Sequence, residues 1–376
     1  MHNIRCKSFP VEVGPVPRKI SLFSLILLLL ILMLSGCVIS PRRTLGGSPT
    51  PTPSPTPTST PTPSPTPTPG PPATGQLYVT SGTQNSIVRF DNAFTVNGNA
   101  APAATISGAG TTLATPIYLA LDSAADRLFV ASKTSASILI FDQISTKTGN
   151  VAPTRAISGV ATNLFVPIQP FLDKSRDLLY VSDDISILVF TSASTANGNV
   201  ASARDIQPGF SVGAIFVDAA NDRLFVTDPS GDAVNEYDNA STLNGTVTPT
   251  RQITGAATGL GSPSGLQIDG SGRLVVCNTS PPSITVYNAA SANGNTSPLA
   301  TVSGINTGLV SPNQIAFDTT ARDTLYVADP GSGKILVFTG FISANGNLAP
   351  TRTIGGAATT LSATGLNSGV ALDVSR

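Results

Sequence analysis

The feature that most restricts the fold of this chain is a unit of about 50 residues that occurs six times. Each unit carries an apolar triplet, and successive triplets lie 51, 51, 45, 50 and 51 residues apart. The six triplets are Leu77–Val79, Leu128–Val130, Leu179–Val181, Leu224–Val226, Leu274–Val276 and Leu325–Val327. A single short unit cannot bury its apolar face alone, so such units must pack against one another. The period predicts one repeat domain over residues 76–376, with units starting near 77, 128, 179, 224, 274 and 325.

The units have the composition of β-strands. Each contains four short runs rich in Val, Ile, Phe and Tyr, separated by Gly, Asn, Asp and Pro. In the last unit three of these runs are NQIAFD at 313–318, LYV at 325–327 and ILVF at 335–338. No part of the repeat region has a sustained helical period. Six four-stranded units predict an all-β fold, a six-bladed β-propeller with short, protected sheet edges.

The two ends of the repeat region predict how the ring closes. The array begins at a second strand, QLYVT from Gln76, and it finishes with an unpaired first strand, SGVALDV at 368–374. A solenoid would have no reason to divide a unit in this way. We therefore expect the C-terminal strand to pair beside Leu77–Thr80 and to complete the first blade.

A nearly constant loop follows the third strand of most units. It reads ANGN in the unit containing Asn345-Gly346, with similar Asn-Gly pairs at 97–98, 197–198 and 293–294. Gly and Asn accept the positive φ angles that tight bends require. We interpret this motif as a structural bend that every blade must make.

The later units resemble the NHL repeat family. The resemblance is clearest in SPNQIAFDTTARDTLYVADPGSGKILVF at 311–338. The segment SPSGLQIDGSGRLVVCNTSPPSITVY at 262–287 matches more loosely. The ANGN loop is longer than usual for that family, and its frequent Asn-Arg pair is absent. The resemblance implies a propeller that acts as a binding platform. A metal-dependent lyase related to the family uses His ligands, whereas the one His of this chain is His2.

The N-terminus predicts export and lipidation. Basic residues precede the apolar run from Ile20 to Leu34, and Leu34-Ser35-Gly36-Cys37 follows it. This resembles the lipobox of bacterial lipoproteins, which implies a signal peptide over 1–36 and a lipidated Cys37. The alternative is an uncleaved anchor, since Ile20 to Ile39 approaches the ~20 residues that span a bilayer. Either interpretation places the domain in the bacterial cell envelope, and the lipobox favours the outer membrane or the cell surface.

Residues 37–75 are predicted to be a disordered spacer rich in Pro, Thr and Ser. Between Ser48 and Pro72 nearly every second residue is Pro. Proline fixes φ and removes the amide donor, which favours an extended polyproline-II-like chain. Such a spacer would hold the propeller away from the membrane.

Charge and cysteine content exclude several classes of function. Residues 76–376 carry 15 basic and 20 acidic residues, a net charge of −5, which argues against nucleic acid as a partner. Cys277 has no disulfide partner within this region and no His to activate it as a nucleophile. We expect no catalytic residue of these kinds, and we expect a monomer.

One acidic position recurs in every unit. Asp closes the first strand of each, at 122, 173, 218, 269, 318 and 373. Recurrence favours a structural role, in which Asp accepts backbone hydrogen bonds in the following turn.

The alternative to a binding module is an enzyme resembling the Ca²⁺-dependent lactonases on six-bladed propellers, with carboxylates around the channel. We expect no cofactor for a binding module, whereas the enzyme alternative would use Ca²⁺ held by three or more Asp, Asn or Glu oxygens.

The loops between second and third strands differ from unit to unit, unlike the ANGN loops on the opposite face. Variable loops on a rigid scaffold commonly form binding sites. We therefore predict a ligand face for a protein, peptide or glycan, with an acidic excess that favours a cation or a basic partner. Its candidate residues are Lys133, Asp183, Asp184, Asp228, Asp232, Asn278, Asp329 and Lys334. The competing interpretation is that the Asp residues only cap turns.

Overall fold

A computed structural model describes residues 74–318, 320, 322–362 and 368–376. They form six antiparallel sheets arranged in a ring, the six-bladed β-propeller that the sequence predicts. The predicted signal peptide, Cys37 and the spacer up to residue 73 lie outside the described residues. Within the described ranges, no helix is both long and apolar enough to cross a membrane.

The strands follow one another along the chain, blade by blade. Blade 1 contains β1 (Gln76–Ser81), β2 (Ser86–Asp91) and β3 (Ala104–Ile106), and blade 2 contains β4 (Pro116–Asp122), β5 (Arg127–Ser132), β6 (Ser137–Asp142) and β7 (Arg155–Ser158). Blade 3 contains β8 (Pro167–Asp173), β9 (Leu178–Asp183), β10 (Ser186–Thr191) and β11 (Arg204–Gln207). Blade 4 contains β12 (Ile215–Asp218), β13 (Arg223–Asp228), β14 (Ala233–Asp238) and β16 (Arg251–Ile253), with β15 (Gly245–Thr246) in a loop.

The remaining blades have the same order. Blade 5 contains β17 (Pro263–Ile268), β18 (Arg273–Thr279), β19 (Pro282–Asn288) and β20 (Ala300–Ser303). Blade 6 contains β21 (Ile315–Asp318), β22 (Thr324–Asp329), β23 (Lys334–Thr339) and β24 (Arg352–Ile354), and β25 (Val370–Asp373) is the last strand. One-turn 3₁₀ helices lie in the loops at Ala109–Thr111, Ile144–Thr146, Val160–Thr162, Ile305–Thr307, Phe341–Ser343 and Ala357–Thr359.

Burial explains why the apolar triplets are continuous. In β5, Leu128, Phe129 and Val130 are all fully buried, although neighbouring side chains of a strand point to opposite faces. Each blade packs between two others, so both faces of its middle strands are covered. The alternation expected for a strand with one solvated face is therefore absent.

The ring closes as the sequence predicts. β25 pairs with β1 in antiparallel register, with Leu77 opposite Leu372 and Val79 opposite Val370. The pairing continues beyond the strand, because Thr80 N donates to Gly369 O over 3.1 Å. Every strand of the six sheets and the closing contacts lie between residues 75 and 376, so this segment contains all six blades of the propeller.

The ANGN loop makes the predicted bend. Gly98 and Gly346 have φ angles of 69° and 81°, in the left-handed region that favours glycine. The bend is only part of the explanation, however, because each loop also pairs with the fourth strand of the preceding blade. The pairs are Gly149 with Ile106, Gly198 with Ile157, Gly245 with Ile206, Gly294 with Ile253, Gly346 with Val302 and Gly98 with Ile354.

The Asn side chains of this loop bind the same neighbouring blade. Between blades 3 and 2, Asn197 Oδ1 accepts from Ala156 N over 3.1 Å, and Asn199 Oδ1 accepts from Ala161 N over 2.7 Å. We call this set of contacts the inter-blade clamp. One clamp joins blade 1 to blade 6, where Asn99 Oδ1 accepts from Ala358 N. The motif therefore recurs because each blade must hold the one before it.

The six Asp residues that end the first strands have the predicted structural role. Each accepts a hydrogen bond from a backbone N–H of the turn that follows, from Ala125, Ser175, Asn221, Ser271, Thr320 and Ser375 respectively. An Arg of the same blade pairs with five of them, and Lys174 of blade 3 reaches Asp122 of blade 2. These turns are held by charge as well as by hydrogen bonds.

Candidate functional site

The propeller has two faces because the strands of each blade alternate in direction. The loops between second and third strands and the loops between blades lie at one end of the strands, which we call the upper face. The hairpin turns after the first strands and the inter-blade clamps lie at the other end, the lower face. All eight predicted site residues belong to the upper face.

The structure divides these eight residues by exposure. Asp183, Asn278 and Asp329 are buried, Asp228 is partly buried, and Lys133, Asp184, Asp232 and Lys334 are exposed. The four less exposed residues occupy one repeat position, the end of the second strand. The polar groups at this position are therefore folded back onto the protein to different extents.

Asp183 serves the backbone of the loop that enters its own blade. Its carboxylate accepts hydrogen bonds from the N–H groups of Phe165 and Val166. Burial raises the pKa of the Asp183 carboxyl above its usual range, and the nearby charges of Asp184 and Asp205 raise it further, while the two N–H donors oppose the shift. The group is thus a buried acceptor whose negative charge is not neutralised by a cation.

The same position does similar work in other blades. Asp329 accepts from the N–H groups of Val310 and Ser311 over 2.7 and 2.9 Å, and Asn278 accepts from Gly261 N over 3.1 Å. Asp228 instead accepts from two N–H groups of its own turn. For these residues the turn-capping interpretation describes the contacts that the structure shows.

Three exposed charged groups have no such bond. The carboxylate of Asp184 and the ammonium groups of Lys133 and Lys334 form no hydrogen bond or ion pair with another described residue. Asp232 differs, because its Oδ1 accepts from Ser262 N of the next blade over 2.6 Å. Asp184 and the two lysines are therefore the predicted residues that remain open to a partner.

Charge is segregated between the faces. All eleven arginines between residues 74 and 376 contact a carboxylate or a loop carbonyl in the lower half of the ring; these are Arg89, Arg127, Arg155, Arg176, Arg204, Arg223, Arg251, Arg273, Arg322, Arg352 and Arg376. On the upper face none of the five predicted Asp residues forms an ion pair with a described residue. The upper face is consequently acidic, with Lys133 and Lys334 as its cations among the predicted residues.

Two apolar side chains stand out on the upper face of blade 3, and sequence reasoning missed them. Phe165 is 74% exposed and Ile185 is 64% exposed. They flank the acidic pair, because the N–H of Phe165 is bound by Asp183 and Ile185 directly follows Asp184. The available signal was Phe165 itself, an aromatic residue where the equivalent loops have Ala114, Gly261 and Val310, of which Val310 is 51% exposed. Large exposed apolar side chains beside unpaired charge are typical of interaction sites.

The described residues show none of the features that would favour the Ca²⁺-dependent enzyme. Within the described ranges, no three His, Cys, Asp or Glu side chains lie close enough together to hold a metal ion. The side chains that line the central cavity include glutamines but no carboxylate. Burial raises the pKa of the Cys277 thiol, which keeps it in the unreactive protonated form.

The comparisons with known proteins identify the fold alone. No family model matches the chain, and no curated protein matches it. Among solved structures, one in the crystal structure of a nidogen/laminin complex has a TM-score of 0.52 and 15% identity, over 79% of this chain and 98% of that one. A functionally unknown protein from Desulfotomaculum acetoxidans DSM 771 has a TM-score of 0.50 and 12% identity, over 76% of this chain and 80% of that one. These similarities support the β-propeller.

Proposed function

We propose that this protein is a binding module whose upper face, centred on blade 3, takes a basic protein or peptide. The observation that carries the proposal is the charge segregation, in which the arginines are engaged in the lower half and Asp183 and Asp184 stay without cations. A cation-poor acidic face attracts basic partners and rejects acidic ones.

The apolar side chains give the partner something to bury. Phe165 and Ile185 can each lose apolar area to a partner, at about 25 cal/mol per Å² before the costs of association. Asp184, which precedes Ile185 in the chain, is free to pair with a Lys or Arg of that partner. Apolar contact supplies affinity here, while charge supplies orientation and a faster encounter.

The cellular setting remains part of the proposal. The lipobox-like segment ending at Cys37 would tether the chain to the bacterial cell envelope, and the Pro-rich spacer would give the propeller reach. The NHL-like repeats of the later blades are in keeping with a binding platform. A tethered module of this kind would recruit a partner to the surface without chemistry of its own.

The test is capture from a cell-envelope extract with the 74–376 segment, using Asp184→Lys combined with Ile185→Ser. The matched control on the lower face is Asp238→Lys combined with Ile342→Ser, because Asp238 is exposed and Ile342 is 54% exposed. We expect the control to retain a basic partner, the upper-face variant to lose it, and high salt to weaken it. Equal retention by both variants, or capture of an acidic protein or a glycan, would contradict the proposal.

A further inference from the structure

The central channel contains a cavity of about 310 Å³, near the lower end of the range for ligand sites. Its wall consists of the first strands of the blades, which are the strands nearest the axis. One position of the first strand lies two residues before the Asp that ends it. In blades 1 to 6 this position is occupied by Ala371, Ala120, Phe171, Phe216, Gln267 and Ala316. All six of these residues line the cavity.

This position breaks the symmetry that the rest of the repeat keeps. Phe171, Phe216 and Gln267 occupy three successive blades, while alanine occupies the other three. The two phenylalanine rings meet edge to face, with centroids 5.0 Å apart and an interplanar angle of 67°. Large side chains on one side and methyl groups on the other leave the empty volume beside an aromatic wall. Core packing alone would not require this division in six equivalent blades.

The channel is closed towards the upper face. Tyr118 of blade 2 belongs to one buried cluster with Ala214 and Leu266 of blades 4 and 5, and its hydroxyl donates to Asn313 Oδ1 at the start of blade 6 over 3.2 Å. Gln314 of blade 6 also spans the channel, because its amide donates to Leu119 O over 2.8 Å and its Oε1 accepts from Val370 N over 3.0 Å. The cavity is therefore a blind pocket and not a pore.

The open end lies at the lower face. The lining residues of the last two positions before the Asp are partly exposed in several blades, as with Leu121, Phe171 and Phe317. The lining residues three and four positions before the Asp, such as Leu119 and Gln169, lie nearer the upper face and are buried. Access to the pocket is thus from the side opposite the upper face.

The pocket wall is neutral. Among the described residues that line it, none carries a charge, and the polar side chains are Gln169, Gln267 and Gln314. Gln314 is fully engaged with backbone groups, whereas the Gln267 amide and Gln169 Nε2 make no hydrogen bond to another described residue. An anion or cation would lose its hydration here without a counter-charge, which is costly. An aromatic ring can pack against Phe171 and Phe216 and leave a hydroxyl or carbonyl for the free amides.

We infer that this pocket is a second binding site, separate from the proposed upper-face function, for a small uncharged aromatic molecule with one or two hydrogen-bonding groups. The probe is β-naphthol, with β-naphthoate as the charged molecule of the same ring. Binding to the 74–376 segment is measured by saturation-transfer NMR and titration. We expect β-naphthol to bind and β-naphthoate to bind at least about tenfold more weakly.

Ala120→Phe tests the site by filling the pocket. The fold should accept this side chain, because Phe171 and Phe216 already occupy the same repeat position in the next two blades. Filling the pocket should weaken β-naphthol binding by about tenfold or more, whereas Ala101→Phe on the exposed loop of blade 1 should leave it unchanged. If Ala120→Phe fails to fold, Ala371→Val provides a smaller filling. Absence of β-naphthol binding, undiminished binding to the filled variant, or equal binding of β-naphthoate would overturn the inference.

Discussion

Asp183 offers a sharp test of how the upper face is built, because two substitutions at this position separate its roles. The N–H groups of Phe165 and Val166 bind different oxygens of the Asp183 carboxylate, so Asp183→Asn keeps an acceptor for only one of them and removes the buried charge. Asp183→Ala removes both acceptors and the charge. Asn278 occupies the same position in blade 5 and accepts from a backbone N–H there, so the fold already accommodates the amide.

The two substitutions should differ in their cost to stability. An unsatisfied buried donor costs about 1–3 kcal/mol, and the low end applies because water reaches the exposed Phe165, which gives ~2 kcal/mol for the pair in Asp183→Ala. In a domain of about 300 residues, whose unfolding entropy is about 2.1 cal/mol/K per residue, that lowers the melting temperature by roughly 3 °C. Asp183→Asn leaves only one of the two donors unpaired and relieves an uncompensated buried charge, so its stability at neutral pH should clearly exceed that of Asp183→Ala.

The pH dependence follows from the raised pKa of Asp183. Because the folded protein holds this proton more tightly than the unfolded chain, protonation stabilises the fold. That stabilisation is complete below the unfolded-state pKa of about 3.9 and is lost as pH rises through the higher folded-state value. The stability of Asp183→Asn relative to the unsubstituted protein should therefore be greatest at neutral pH and should fall on acidification. Denaturant unfolding of the 74–376 segment across pH measures it. Equal destabilisation by Asn and Ala at neutral pH would show that the fold requires the charge, which would refute this reasoning.

Three further perturbations test the closure, the clamp and the anchor. Deleting residues 368–376 removes β25 and the burial of Val370, worth ~1.5–3 kcal/mol, and exposes the edge of β1; we expect aggregation or loss of cooperative unfolding, and an unchanged melting temperature would contradict ring closure. Asn99→Ala should cost about 1 kcal/mol in denaturant unfolding by removing the acceptor of Ala358 N, whereas Thr246→Ala, at the clamp position without the second Asn, should cost nothing. Cys37→Ala should abolish fatty-acid incorporation in metabolic labelling, and persistent label would rule out lipidation at this residue.

Much of the fold could be predicted because it rests on local patterns repeated six times. The triplet beginning at Leu77 marks buried second strands, and the unpaired run ending at Val374 predicts closure, since strand pairing follows from chain order. The Asp after each first strand could be assigned to its turn because its partner lies within a few residues. Local chemistry is visible in sequence when both partners are near each other in the chain.

Contacts between blades could not be predicted in the same way. Asn199 binds Ala161 across 38 residues, and Gln314 reaches Leu119 across 195. The sequence did contain one signal of these contacts. The loop of blade 4 has Thr246 in place of the second Asn, and blade 3, which this loop contacts, lacks the usual Gly-x-x-Thr turn at Gln207–Phe210. These two departures from the repeat pattern indicate a contact between the loop and the turn, but the contact can be recognised only when the arrangement of the blades is known.

The candidate site was partly hidden for a related reason. Asp183, Asp184 and Asp329 look alike in a variable loop, yet only the contacts show that two of them face inward to backbone N–H groups. Exposure of Phe165 likewise depends on the entry loop being bound to Asp183. Sequence variation selects a stretch of loops, and burial decides which side chains of those loops are exposed.

The most direct test of the proposed function is hydrogen exchange of the 74–376 segment with and without its captured partner. The upper-face assignment predicts slower exchange in residues 164–166 and 183–187, with residues 340–350 of the lower face unchanged. Protection confined to the lower-face loops, or none around Asp184, would contradict the claim that blade 3 presents the binding surface.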